Sequence, residues 1–168
     1  MTTYRMSIIG GFAPDTSGDV FPSFLDVELS MANAKHIPCY VMDYPTGSDI
    51  GGELVFSIPK NYAGSPVLVI RGILDGSPAN ILAFGAQQLS RADSESADTA
   101  YEAEDTASNS TWTGYADEDH YEETITLTPA AAYVVDDEVH LKLYRDESVD
   151  TTTFNFLLTD LLFEYSDT

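Results

Sequence analysis

Hydrophobic positions along this chain alternate; they do not recur at helical spacing. The alternation is cleanest near the C-terminal end. Val139, Leu141 and Leu143 interleave with His140, Lys142 and Tyr144, and the chain then meets Arg145-Asp146. A second apolar run fills residues 154–165, where Leu161, Phe163 and Tyr165 interleave with Asp160, Leu162 and Glu164. Successive strand side chains point to opposite faces, so a period of two marks half-buried strands. With the polar bend at 146–153 between them, the two runs predict an antiparallel pair that closes a sandwich or barrel. Its expected core residues are Leu141, Leu143, Leu161 and Phe163. Arg145 is expected to pair with a carboxylate and pin the bend, a structural role.

The same period recurs upstream. Residues 4–9 predict a short strand ended by Gly10-Gly11, and residues 25–29 a strand or extended arm. Residues 37–42 predict a strand in which Pro38 marks an edge or a start. Residues 43–52 read as a loop, and Leu54, Phe56 and Ile58 as one face of the next strand, stopped by Pro59. A turn at 61–66 precedes residues 67–74, nearly all apolar, as suits a central strand covered on both faces. After the turn signal Asp75-Gly76-Ser77-Pro78, residues 81–89 resume as a strand with small side chains. Residues 92–123 read as a long excursion between strands, with a short strand expected near Thr111 to Tyr115, or alternatively as a functional loop. Residues 121–128 predict a strand with Ile125 and Leu127 on one face, and residues 130–135 one helical turn. About eight strands at even spacing, with no amphipathic helix, predict an all-β antiparallel β-sandwich, jelly-roll-like, in one domain. Residues 1–30 are an N-terminal arm or an ordinary first strand, carrying Tyr4, Met6, Ile8, Phe12, Phe21 and Phe24; residues 31–168 are the sandwich.

Composition narrows the function classes. The chain has 168 residues, 28 of them acidic and 7 basic, for a net charge of -21. So few cations argue against nucleic-acid partners, whose phosphates need Lys and Arg, and against anionic membranes. An acidic, Lys-poor surface stays hydrated at high salt, so a halophilic source and a plain acidic protein are equal readings. A hydrophobic fraction of 43% supports a real core. No window nears the roughly 18 apolar residues of a membrane helix. With no export signal evident, manufacture in a cytoplasm, including that of a host cell, is expected.

No stretch carries catalytic spacing, so the chain is read as no enzyme, with no catalytic residue and no cofactor. His36, His120 and His140 lie in no recognisable motif, and His140 is expected at the surface. Cys39, the single cysteine, sits in an apolar run and reads as a buried, inert thiol. Three acidic clusters raise the question of calcium: Asp15 with Asp19, Asp117-Glu118-Asp119, and Asp136-Asp137-Glu138. None has EF-hand spacing, and a solvated acidic loop is the favoured reading of each, leaving any metal site unknown. Asn109-Ser110-Thr111 is a glycosylation sequon.

One further likeness lies in the residues. Asp137 through Asp146, then Asp150-Thr151, then Leu157-Leu158 through Tyr165, resembles the close of a β-sandwich domain of tailed-phage virion proteins. There a strand ends in Arg-Asp, a bend holds Asp-Thr, and the last strand ends in Tyr. Ile58-Pro59-Lys60-Asn61-Tyr62-Ala63-Gly64 resembles the same domain's turn into a core strand. The likeness covers residues 50–165 in scattered pieces, and residues 92–119 are longer and more acidic than its pattern. It implies a capsid decoration (cement) protein on the virion exterior, homotrimeric, packing on the major capsid protein and on its own copies. The alternative is a receptor- or carbohydrate-binding module of a tail fibre, with Trp112, Tyr115 and Tyr121 stacking on sugar rings.

Overall fold

The computed structural model describes residues 2–14, 23–28, 36–92, 95–96 and 99–167. Within them lie β1 (Thr3–Ser7), a single 3-10 turn (Ile9–Gly11), β2 (Ala13–Pro14), β3 (Ser23–Glu28), β4 (His36–Met42), β5 (Ile50–Ser57), β6 (Tyr62–Asp75), β7 (Leu82–Arg91), β8 (Asp105–Asn109), β9 (His120–Thr126), β10 (Glu138–Arg145) and β11 (Asn155–Asp167). The described residues include no α-helix.

The strands form two antiparallel sheets. Sheet A runs β3-β4-β11-β6-β9, with β1 also on β11, and sheet B runs β2-β5-β10-β7-β8. From β4 onward the pairing is nested: β4 with β11, β5 with β10, β6 with β9, β7 with β8. One long antiparallel hairpin has been rolled up, and each connection except β7 to β8 crosses between sheets. That is a jelly roll of eight strands, the architecture the alternation predicts. β1, β2 and β3 lie outside this nested set and add to β11, β5 and β4.

The core lies between the sheets and follows the predicted parity. Leu141, Leu143, Leu161 and Phe163 are fully buried there. Ile125 and Leu127 join them, as do Leu54 and Ile58. Burying each such side chain is worth about 1.5–3 kcal/mol. Aromatic rings fill one region: Phe163 meets Phe56 at 4.9 Å, Tyr165 at 5.7 Å and Tyr133 at 6.1 Å between centroids. Central strand β6 is apolar on both faces, as expected. Leu68, Ile70 and Leu74 face the core, while Ile73 packs with Cys39 and Leu157 in a smaller cluster.

β11 holds a device that its sequence does not announce. Phe154, Phe156 and Leu158 face the core, and so do Leu161, Phe163 and Tyr165. Even positions hand over to odd ones because the pairing with β6 slips between Leu158 and Asp160, leaving Thr159 as an extra residue. This bulge also marks the change of partner on the other edge, where β4 pairs with residues 156–158 and β1 with residues 162–166.

Four local expectations change. The strand expected at 111–115 is a turn, and the short strand of this excursion is β8 at Asp105–Asn109. Gly114, with φ +88°, is the third residue of a turn closed by the Tyr115 amide on the Trp112 carbonyl at 3.1 Å. Residues 130–135 form no helical turn; Tyr133 there is buried in the core instead. The loop at 43–52 ends early, because Gly51 and Gly52 pair in β5 with Tyr144 and Leu143. A Cβ on Gly51 would collide with the Leu143 carbonyl and Tyr144, so this glycine permits close strand approach, not a turn. The turn expected at 61–66 is bulged strand, since Tyr62 and Gly64 pair with Asp167 and Ser166.

Candidate functional site

Rolling up the hairpin gathers four connections at one end of the sandwich: residues 43–49, 76–81, 110–119 and 146–154. Arg145 anchors the 146–154 connection and the end of β4, from which 43–49 departs. It follows Val139, Leu141 and Leu143 on the inward face of β10 and is 0% exposed. Its Nε and Nη2 donate to the two oxygens of Asp150 at 2.9 and 3.1 Å. Nη1 donates to the carbonyls of Met42 and Phe154, both at 3.0 Å, and Nη2 also reaches Thr152 Oγ1. All the donors of the guanidinium fork are thereby used. Burial pulls the Arg145 pKa down, and the hydrogen bond and charge of Asp150 oppose that pull. Arg145 pairs with a carboxylate and pins the bend, as expected from the sequence, and it also ties in the end of β4.

Asp150 extends the brace. It accepts from the amides of Ala83 (3.2 Å) and Thr152 (3.0 Å) and from Thr152 Oγ1 (2.6 Å). Other loop-to-loop bonds run from the Glu147 amide to Asp49 (3.0 Å), from the Gly76 amide to Asp117 (2.7 Å), and from Trp112 Nε1 to the Asn80 carbonyl (2.9 Å). Tyr44, Tyr115 and Val149 are the exposed large apolar residues of these loops.

Beside this end a groove of about 450 Å³ lies on sheet A, lined by Arg71, Gly72, Tyr115, His120, Tyr121, Glu122 and Thr159. Arg71 and Glu122 are directly opposed on β6 and β9, with Nε donating to Oε2 at 2.7 Å. Arg5 on β1 bonds Glu164 at 2.5 Å and reaches Glu122 at 3.6 Å. Since β11 and β6 stand between β1 and β9, the Arg5 side chain crosses the sheet's outer face. The hydrogen bond to Glu164 raises the Arg5 pKa most. Two of the four arginines of this acidic chain thus sit on one face, linked by carboxylates.

The aromatic residues singled out from the sequence divide in role. Tyr121 is buried, its hydroxyl donating to Glu123, and burial together with that hydrogen bond raises its pKa. Trp112 packs edge-on against Phe154 at 5.7 Å and is half-buried. Only Tyr115 presents its ring to solvent, being 40% exposed. The three do not form an open stacking platform, which corrects the expectation that all are available to a ligand.

The remaining candidates lie apart. His140 is half-buried and bonded to Glu138 at 2.7 Å, His120 lines the groove, and His36 is in β4. Cys39 is buried. Asp117 and Asp119 cap loop amides, and Asp137 accepts from Ser90 and from the Val134 amide. Asp15 and Asp19 lie outside the described residues, as does Phe21. Among the described residues no group of three or more His, Cys, Asp or Glu is arranged to hold a metal ion. Asn109, in the sequon, ends β8 with its side chain engaged by the Thr111 backbone. The residues that sequence reasoning missed are Arg71 and Glu122. Their only signal was position: an Arg in an apolar central strand and a Glu in the strand that pairs with it.

No family model matches the chain, and no curated protein does. Among solved structures it is similar to the K3 cleaved adhesin domain of Lys-gingipain from Porphyromonas gingivalis, over 98% of this chain and 100% of that one, at 10% identity and a TM-score of 0.45. The fold assignment rests on the strand order of the chain itself.

Proposed function

We propose that this jelly roll is a non-catalytic interaction module that docks through its loop end, and that it serves as a structural component on the exterior of a tailed-virus capsid. The observation that most favours an interaction role is the bracing of that end. Loops held by the buried Arg145-Asp150 hub and by the bonds between neighbouring loops are already ordered before a partner arrives, so docking loses little conformational entropy. Tyr44, Tyr115 and Val149 at their rim supply exposed apolar surface. A stable docking face needs roughly 800 Å² per partner. The virion assignment draws on the sequence resemblance, with the major capsid protein and further copies of this chain as the partners.

Immunogold labelling of intact particles from the source culture tests this reading, using antibody raised against the purified domain. Label on the capsid exterior is expected. Adding the domain back to stripped particles should restore it, and the double variant Tyr44→Ser/Val149→Ser should bind about tenfold more weakly, near 1.4 kcal/mol. Label confined to the soluble fraction, with a domain that stays monomeric at high concentration, overturns the proposal.

A further inference from the structure

The groove on sheet A shares Tyr115 with the docking face and adds a polar wall that the docking role does not use. Its wall is the Arg71-Glu122 pair. Only Nε of Arg71 and Oε2 of Glu122 are engaged with each other, and both side chains are 40% exposed. Among the described residues Arg71 Nη1 and Nη2 and Glu122 Oε1 make no hydrogen bond, which leaves adjacent donors and an acceptor at the groove. Such a fork of donors beside an acceptor matches neighbouring hydroxyl groups, each of which both donates and accepts.

Tyr115 forms the facing element. Its ring is approached by Trp112 at 6.2 Å and 85°, and by Tyr121 at 5.5 Å and 67°. Both contacts are edge-on, the geometry that aromatic pairs favour. Trp112 and Tyr121 are themselves fixed, by the Asn80 carbonyl and by Glu123. Tyr115 is therefore held in place by two anchored rings while staying 40% exposed. His120 and Thr159 complete the lining. At about 450 Å³ the space falls in the range of small-ligand sites, roughly 300–1,000 Å³.

We infer that this groove binds a neutral, hydroxyl-rich ligand, a saccharide whose ring packs on Tyr115 while adjacent hydroxyls bond Arg71 and Glu122. Charge selects neutral over acidic sugars. Glu122 is part of the wall, Asp160 opposes Arg71 on β11, and the whole chain carries a net charge of -21. An anionic ligand would meet these carboxylates beside Arg71 and a repulsive long-range field that added salt weakens. This differs from stacking on all three aromatics: Trp112 and Tyr121 act as supports, and the polar pair supplies the specificity. The inference holds whether or not the domain sits on a capsid.

The test is binding of the full chain to an array of neutral oligosaccharides of hexose and N-acetylhexosamine, with sialylated and sulfated members alongside. Hits are followed by saturation-transfer NMR and titration. Wild type should bind neutral members. Tyr115→Ala and Arg71→Ala should each weaken binding at least about tenfold, while Val134→Ser, in the 127–137 connection, should leave it unchanged. Arg71→Lys keeps the charge but loses the fork, and should bind nearly as poorly as Arg71→Ala. Circular dichroism and thermal melts establish that each variant is folded. Absence of neutral-saccharide binding at millimolar concentration overturns the inference. So does wild-type affinity in folded Tyr115→Ala and Arg71→Ala, or binding restricted to acidic members. Particle labelling is read independently, so failure here leaves the docking proposal standing, and the reverse.

Discussion

Arg145 sits where the parity of β10 calls for another leucine. A charge at that depth survives only because its donors are all met and Asp150 lies against it. Removing the arginine leaves Asp150 buried and uncompensated. Arg145→Met is expected to lose about 3–5 kcal/mol of unfolding free energy, measured by urea denaturation. The double variant Arg145→Met/Asp150→Leu should recover part of that loss. If Arg145→Met costs under about 1 kcal/mol, the hub is not what holds the bend. From the sequence, the Arg-Asp bend pointed to an ion pair. It did not say that the partner is Asp150 and not the adjacent Asp146. Asp146 instead accepts from Ser148 in its own turn. Which carboxylate folds back is a matter of bend geometry, which residue types do not encode.

Among the elements, β11 shows how one residue governs a strand. Thr159 is the bulge that passes the inward face from even to odd positions. Deleting Thr159 brings Asp160 next to Leu158 and still leaves Leu161, Phe163 and Tyr165 pointing inward. Deleting Leu162 instead turns Phe163 and Tyr165 outward. The Thr159 deletion should therefore fold, with native-like near-ultraviolet circular dichroism, and the Leu162 deletion should not. Two folded deletions would mean that facing in β11 is not set by parity. In the sequence, the run 154–165 is apolar enough on both faces that no bulge stands out. The turn at Trp112-Thr113-Gly114-Tyr115 was more legible than the strand expected there. Glycine at the third turn position, where φ is positive, was the signal, and the aromatic content outweighed it.

For the whole molecule, burial of phenols sets an alkaline limit. Burial is the largest cause raising the pKa of Tyr121, Tyr133 and Tyr144 above the ordinary 10.0. Below pH ~10 these phenols are protonated both folded and unfolded, and their contribution to stability is constant. Above it the unfolded chain ionises first, so stability falls as pH rises toward the folded values. Denaturant unfolding between about pH 8 and about pH 11 should show a flat region and then a decline, each phenol adding up to about 1.4 kcal/mol per pH unit. The share of the phenolate absorbance due to these three of the ten tyrosines should appear together with unfolding. Ionisation of these phenols near pH ~10 without loss of structure would mean that they are not withheld from water.

Sequence alone determined the alternation, and with it most of the strands and the all-β class, because a period of two is a local property of the backbone. Leu141, Leu143, Leu161 and Phe163 needed no more than that. It also marked Arg145 as a pinning residue. Tertiary structure decided what depends on distant segments meeting. The nesting of β4 with β11 and β5 with β10 brings four loops to one end. Pairing of β6 with β9 sets Arg71 against Glu122, residues 51 positions apart. Tyr115, alone of the three aromatics, keeps its ring exposed beside the groove because Trp112 and Tyr121 are drawn inward by Phe154 and Glu123. Strand identity is written in neighbouring residues; the groove exists only after the rolled hairpin has closed.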